Sequence, residues 1–425
     1  MEKYMGIYVH IPFCESKCAY CNFYSIAGED KPMPEFQSAI LRHIKEYSPQ
    51  LDGYIIDTVY FGGGTPSFYG AGRLVSIFSA LKKHGHVRLD AEVTVEVNPG
   101  SVTPEDLMKL KRAGFNRLSI GVQSASDEML KGIGRKHTFA DAEETVKNAR
   151  AAGFTNISID IIFGLPSQTK EDWAQTLTRA AALKPEHISC YGLKIEEGTQ
   201  LYIFRNSPFL PDEDEQADMY LFAVEMLSRF GYKQYEVSNF ARRGFESKHN
   251  LKYWLGGEYI GFGPSAHSYI GECRYSSAED VKKYIERVEA GEQSLVEYSE
   301  EMSDFEKAGE YLMLRMRTTH GISEKEYYDI YNLKMDLLLE LLRKYEKHGW
   351  ALYKDGRWRF TAKGFLISNT LIGELLEAQT KQRTQISRPW QTQDAHKEED
   401  TQMTLFDRSP AASGLFGSEA GRGKR

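Results

Sequence analysis

The stretch HIPFCESKCAYCNFYS, residues 10–25, holds three of the chain's five cysteines, Cys14, Cys18 and Cys21, spaced C-x3-C-x2-C. It overlaps the end of the β-branched run GIYVHI at 6–11, so the thiols come just past the carboxyl end of a predicted strand. A structural zinc takes four ligands, and no second Cys or Cys/His pair stands at finger spacing; zinc would have to recruit an isolated donor such as His10. A four-iron cluster held by three thiolates instead leaves one iron open to substrate or cofactor. Three unligated core cysteines are the weaker reading, because free cysteines seldom crowd into so few polar, loop-like positions.

Working outward, 425 residues with 41% apolar content are enough for one large domain plus a smaller one. The start, MEKYMGIYVHIPF, is too short and too interrupted for a signal peptide, and no run approaches a membrane span, which predicts a cytoplasmic protein without a transmembrane segment. Five cysteines in a reducing compartment argue against a disulfide framework. A net charge of -7 excludes a basic nucleic-acid footprint.

Further strand-like runs recur at 57–62, 92–97, 117–122, 157–163 and 187–193, with helical patterns between them. One helix is bounded in the sequence itself, with Thr103 to cap, Pro104 in the first turn and Gly114 to end it. Six strand–helix alternations predict a parallel sheet with right-handed crossovers. In parallel α/β barrels the carboxyl ends of the strands are the working face, which is where the cysteines fall. Residues 323–365 read as helix, helix and a hairpin turning at Asp355-Gly356, a winged-helix-like outline. Without a basic stripe it reads as a packing module rather than a DNA binder. From residue 378 the chain turns polar and predicts a disordered tail.

Other uncommon residues gather at the same strand ends. In FGGGTP, Gly63 and Gly64 allow close backbone approach and Thr65 adds a hydroxyl, though a glycine run alone also fits a tight turn. Glu96 lies near the end of the third strand, Gln123 follows the fourth, and Asp160 lies inside the fifth, where an acidic group needs a partner. Singly, each reads as a structural hydrogen bond; together they outline a site.

These motifs, YVHIPFCESKCAYCNFYS, FGGGTPS, EVNP, SIGVQS, RKH and DIIFGLP, resemble the radical S-adenosylmethionine superfamily, in the branch of the oxygen-independent coproporphyrinogen III oxidases and their haem-chaperone relatives. The resemblance spans roughly residues 4–375. It implies a partial (β/α)6 barrel, and with the pattern and composition read above the expected divisions are the barrel over 1–206, a connecting region over 207–300, a C-terminal α+β winged-helix-like domain over 301–377 and the tail over 378–425. It also implies a [4Fe-4S] cluster on Cys14, Cys18 and Cys21, with S-adenosylmethionine chelating the open iron. Gly63, Gly64 and Thr65 would line the methionine end, Glu96 would accept from its ammonium and Arg135 would bind its carboxylate. Gln123 and Asp160 would suit ribose hydroxyls, with Tyr8 and Tyr20 packed near cofactor and cluster.

Within the branch, the oxidase pattern has a further cysteine where this chain has Phe23, and an arm ahead of the cluster loop where this chain has only thirteen residues before Cys14. HNLKYW, with His249, Asn250, Tyr253 and Trp254, instead matches the HNxxYW pattern of the haem chaperones and implies haem contact at His249. His267, in the following GFGPSAHSY, adds a second imidazole. The implied partners are haem, a haem-acceptor protein and an electron donor. The alternative is the oxidase's radical decarboxylation of coproporphyrinogen. In the tail, QMTLF at 402–406 resembles peptides that dock on a replication sliding clamp, a match that a long polar tail also produces by chance.

Overall fold

The structure, a computed structural model, describes residues 2–28, 32–291 and 295–387. The tail beyond 387, with QMTLF, lies outside the described residues. The chain divides into two compact units, one of residues 1–233, 238–253 and 257–301, the other of 234–237, 254–256 and 302 onward.

In the first unit, β1 (Lys3–Ile11) leads into a short pair at the cysteine loop, β2 (Phe13–Cys14) and β3 (Ile26–Ala27). Then follow β4 (Tyr54–Gly63), β5 (His86–Val97), β6 (Arg117–Gln123), β7 (Ile157–Phe163) and β8 (His187–Gly192). Strands β1, β4, β5, β6, β7 and β8 lie side by side in that order, each parallel to the next, and form the partial barrel. All six expected strands are present, some with longer ends.

The flanks differ from the all-parallel expectation. After β9 (Lys233–Gln234) come β10 (Asn239–Ala241), β11 (Tyr259–Phe262), β12 (His267–Ile270), β13 (Cys273–Ser277) and β14 (Val296–Glu301). β11 joins β1 in parallel and is extended by antiparallel β12, β13 and β14, while β10 pairs antiparallel with β8. Residues expected only to connect therefore supply strands to both edges of the sheet. Runs of three to five residues such as NFA or YIGF show too little alternation to be read as strands, and their pairing is decided by neighbours in space.

Because side chains alternate across a strand, each of β5 to β8 has two chemically distinct faces. Val93, Val95, Leu118, Ile120, Ile157, Ile159 and Ile188 form a buried apolar face. The alternate face carries Glu92, Thr94, Glu96, Arg117, Ser119, Gly121, Ser158, Asp160, His187 and Ser189. Register aligns these into polar rows: Thr94 opposite Arg117, Ser119 opposite Ser158, Gly121 opposite Asp160, Ser158 opposite His187 and Asp160 opposite Ser189. The crossover helices are fixed locally. Thr103 and Asp106 form a capping box at Pro104–Ala113, and Gly114 ends that helix at φ 112°. The same box recurs at Thr138 and Thr169.

In the second unit, helices Asp304–Arg315, Glu324–Tyr331 and Asp336–Lys347 precede a hairpin, β15 (Ala351–Lys354) and β16 (Arg357–Phe360). Asp355 and Gly356 both take positive φ, 54° and 75°, as the tight turn requires. Leu312, Tyr327, Leu338, Leu342, Tyr345 and Phe360 are buried here. The boundary expected at 378 is ten residues early, because the last helix runs Ser368–Ser387. Its glutamines are not tail residues. Gln379 donates to the Tyr327 hydroxyl at 2.9 Å, and Gln382 accepts from the Leu337 amide at 3.0 Å in the first turn of Asp336–Lys347.

Candidate functional site

The cysteine loop is stitched to the barrel mouth by backbone hydrogen bonds. Gly64 N–H donates to Ile11 O at 2.8 Å and Thr65 N–H to Phe13 O at 2.7 Å. A Cβ on Gly64 would stand 2.7 Å from Phe13 O, and one on Gly63, at φ 108°, 2.5 Å from the His10 ring. The glycine run is therefore required by the loop's own close approach. On its other side the loop is held by Ala19 N–H to Ile133 O at 3.1 Å and Leu201 N–H to Ala19 O at 2.9 Å. Cys14 is buried and receives the Thr65 hydroxyl at 3.5 Å, whereas Cys18 and Cys21 are half-buried. Burial, with the neighbouring Cys18 and Cys14 thiols, pushes the Cys21 thiol up against the opposing pull of Lys17. Among the described residues no three His, Cys, Asp or Glu side chains converge on a single ion.

Beside the loop, Arg135 reaches the Tyr20 hydroxyl through Nε at 3.2 Å and Nη2 at 2.8 Å, and donates from Nη1 to Asn98 Oδ1 at 2.8 Å. Asn98 Nδ2 in turn donates to Thr65 Oγ1 at 3.1 Å. Thr65, Asn98, Arg135 and Tyr20 therefore form one continuous chain around the thiols. Asn98 was visible in EVNP, but an Asn before Pro reads first as a turn residue, so its bridging part was missed. Gln123 closes β6 at φ 68°, where the β6–β7 register shifts between Gly121 and Gln123. Such a bulge re-aims a side chain, and its backbone strain is typical of binding positions. A Cβ on Gly121 would meet Gln123 Nε2 at 2.8 Å and Arg135 Nη2 at 3.3 Å, so the glycine makes room for both.

Lower on the inner face, Glu96 accepts the Tyr60 hydroxyl at 2.8 Å. Burial, opposed by that bond, raises Glu96 to about 7. Asp160 is ringed by serines: Ser189 at 2.6 Å, Ser119 at 2.9 Å and Ser158 at 3.3 Å. Its expected role with a ribose therefore competes with three structural bonds. Tyr8 donates to or accepts from His10 Nδ1 at 3.1 Å and stacks on Tyr60 at 6.2 Å between centroids.

His249, the residue expected to contact haem, lies inside the fold. It is 1% exposed, with Thr58 Oγ1 2.9 Å from Nδ1 and the Tyr253 hydroxyl 2.8 Å from Nε2. Its ring also stacks on Tyr60 at 5.2 Å, and burial lowers its pKa to about 3. The amides of Lys248 and His249 donate to Glu92 at 3.1 and 3.0 Å, which fixes this turn against β5. In this conformation both imidazole nitrogens are committed. His267 on β12 is only partly buried.

A partial parallel barrel with three thiols on the loop after its first strand defines a radical S-adenosylmethionine protein, and the model of the Radical SAM superfamily matches residues 8–180. The heme chaperone HemW of Bacillus subtilis (strain 168) is 34% identical over 373 residues, covering 87% of this chain and 98% of the relative. That of Escherichia coli (strain K12) is 32% identical, covering 87% and 97%. Among solved structures, the coproporphyrinogen III oxidase HemN from Escherichia coli superposes with a TM-score of 0.78 at 25% identity, covering 89% of this chain and 90% of that one. The chain belongs to the HemW haem-chaperone family. That family's radical S-adenosylmethionine fold implies a [4Fe-4S] cluster and S-adenosylmethionine. No helix among the described residues is long and apolar enough to cross a membrane.

Proposed function

We propose that the protein binds haem and passes it to an acceptor protein, while carrying a [4Fe-4S] cluster and exchangeable S-adenosylmethionine. The observation that carries this reading is the match to heme chaperones over 98% of a relative's length. Phe23, 45% exposed where the oxidase pattern has a cysteine, supports it against the oxidase alternative.

When bound, the cluster supplies one-electron chemistry and an open coordination position for the cofactor. Cys14, Cys18 and Cys21 hold it. Thr65 and Asn98 orient Arg135, whose guanidinium is positioned for a carboxylate, and Glu96 offers an acceptor to an amino group. Gln123 is the better ribose partner, because Asp160 is already served by three serines. Ile133, Ile162 and Leu165, packed with Tyr20, Met129 and Leu193, give an apolar wall beside Tyr20.

Haem contact through His249 requires the turn that carries it to open, releasing Thr58 and Tyr253. His249→Ala is expected to weaken haem binding with the cluster spectrum intact. Tyr253→Phe, which frees Nε2 without removing the imidazole, is expected to speed haem uptake. Stopped-flow haem mixing with wild type and both variants tests this; unchanged affinity in His249→Ala with unchanged rate in Tyr253→Phe rules His249 out. A haem-acceptor protein and an electron donor complete the reading.

A further inference from the structure

Arg117, at the start of β6, is large and 1% exposed, and its Nε finds no hydrogen-bond partner among the described residues. It stands in register with Thr94, whose hydroxyl is also buried and without a partner among the described residues. A buried guanidinium is costly unless its charge is answered. The groups that sense it are Glu96, Asp160, Tyr60, His187 and His249, all on the polar inner face or against it. Glu96 is the residue two along from Thr94 on the same face of β5, so Arg117 and Glu96 are near neighbours across the sheet.

What surrounds Glu96 makes that cation matter. From β4 comes the Tyr60 hydroxyl, from β1 Tyr8, from the glycine run the Gly63 amide, and from β7 the like charge of Asp160. Tyr8 and Tyr60 are neutral, because burial first and then Glu96 itself push both phenols well above their ordinary value. Burial first and then Asp160 favour a protonated Glu96; the Tyr60 hydroxyl, the Gly63 amide and, after them, the Arg117 cation oppose it. A neutral carboxyl would lose the charge that favours the cofactor's amino group.

We propose that Arg117 is a positioning residue for S-adenosylmethionine, its buried charge holding the Glu96 carboxylate as an anion toward the cofactor's amino group. This rests on the reading of Glu96 as a cofactor residue. Arg117 is proposed to act on the cofactor's amino group through Glu96. It escapes sequence reasoning because a basic residue opening a strand looks like a solvated end.

The test is anaerobic equilibrium dialysis of S-adenosylmethionine against cluster-reconstituted protein across pH, with wild type, Arg117→Met and Arg117→Lys. For wild type, affinity is expected to fall on the acid side with a midpoint near the Glu96 value of about 7. It should also fall on the alkaline side near pH ~8, where an α-amino group itself titrates. Arg117→Met should move the acid limb up by about one pH unit, roughly fivefold weaker binding at neutral pH, and Arg117→Lys should restore it. Arg117→Gln replaces the Met variant if that chain fails to assemble its cluster. An unmoved acid limb in the neutral variant, an equal loss at every pH, or no rescue by lysine overturns the proposal. Absence of binding by wild type at any pH overturns the underlying reading of the cofactor site instead.

Discussion

The mouth and the floor of the barrel use the same kinds of side chain to opposite ends. At the mouth, Cys18 and Cys21 are half-buried, and Arg135 and Asn98 are held by Tyr20 and Thr65 in a partly buried chain beside them. On the floor, His249, Tyr253, Thr58 and Glu92 are equally rich in ligating atoms, but they spend those atoms on one another. A motif states which groups are present; only packing states which are free. The mouth leaves two of its thiols part-exposed, whereas the floor closes its donors and acceptors on one another.

The largest expected difference between the two regions is in the cluster. Replacing Cys14, Cys18 or Cys21 by Ala should abolish the bound four-iron species, whereas Cys190→Ala should leave it, since Cys190 lies buried within β8 away from the loop. Iron content and absorbance after anaerobic reconstitution check this, and a cluster surviving in the Cys18 variant breaks the assignment of the mouth.

Next in size is acid lability arising from buried histidines. Burial lowers His43 and His249 to about 3 and His10 to about 4, although the Tyr24 carbonyl partly opposes the shift at His10. Each is neutral when folded yet takes up a proton below about pH 6.5 when unfolded. The unfolded state therefore binds more protons as pH falls from 6.5 toward 4, and stability falls by ~1.4 kcal/mol per pH unit for each such histidine. Glu96, raised to about 7, and Asp160, also raised by burial, act in the opposite sense, but His137, His187 and His267 are lowered by burial too and add to the three histidines. Urea unfolding at several pH values should show this slope, and His43→Gln should reduce it by about one proton; a flat profile contradicts the buried neutral assignment.

The smallest effects concern the C-terminal helix. Ending the chain after residue 377 removes the buried Gln379 and Gln382 and should cost a few kcal/mol, about 1 kcal/mol per lost hydrogen bond plus the exposed surface. Ending it after 387 should change neither stability, cluster assembly nor haem affinity. A marked loss of haem affinity on ending the chain after 387 would make the tail part of the binding site.

How far this was legible follows from the same contrast. The six central strands, the capped helix at Thr103 and the turn at Asp355-Gly356 rest on local chemistry, and each stands in the structure. The short edge strands of 239–270 are too brief to carry a period. Gln379 and Gln382 have polar composition that reads as tail, because composition cannot show that a distant helix turn needs an acceptor. In the candidate site, Tyr20, Arg135 and Thr65 are linked through Asn98. Tyr60 and Arg117 were missed because their contacts depend on register between strands, which a single chain does not display, and Asn98 because an Asn before Pro reads first as a turn residue. The Thr58–His249 contact was likewise not legible, because the two residues lie 191 positions apart in the chain.

The most direct test of a haem chaperone built on a kept radical S-adenosylmethionine site is made on one preparation. Cluster-reconstituted protein, with reductant and S-adenosylmethionine, is incubated anaerobically with coproporphyrinogen III, and haem is titrated into a parallel sample. The expected result is saturable haem binding with no protoporphyrinogen formed. Robust formation of protoporphyrinogen, or no saturable haem binding, would contradict the account.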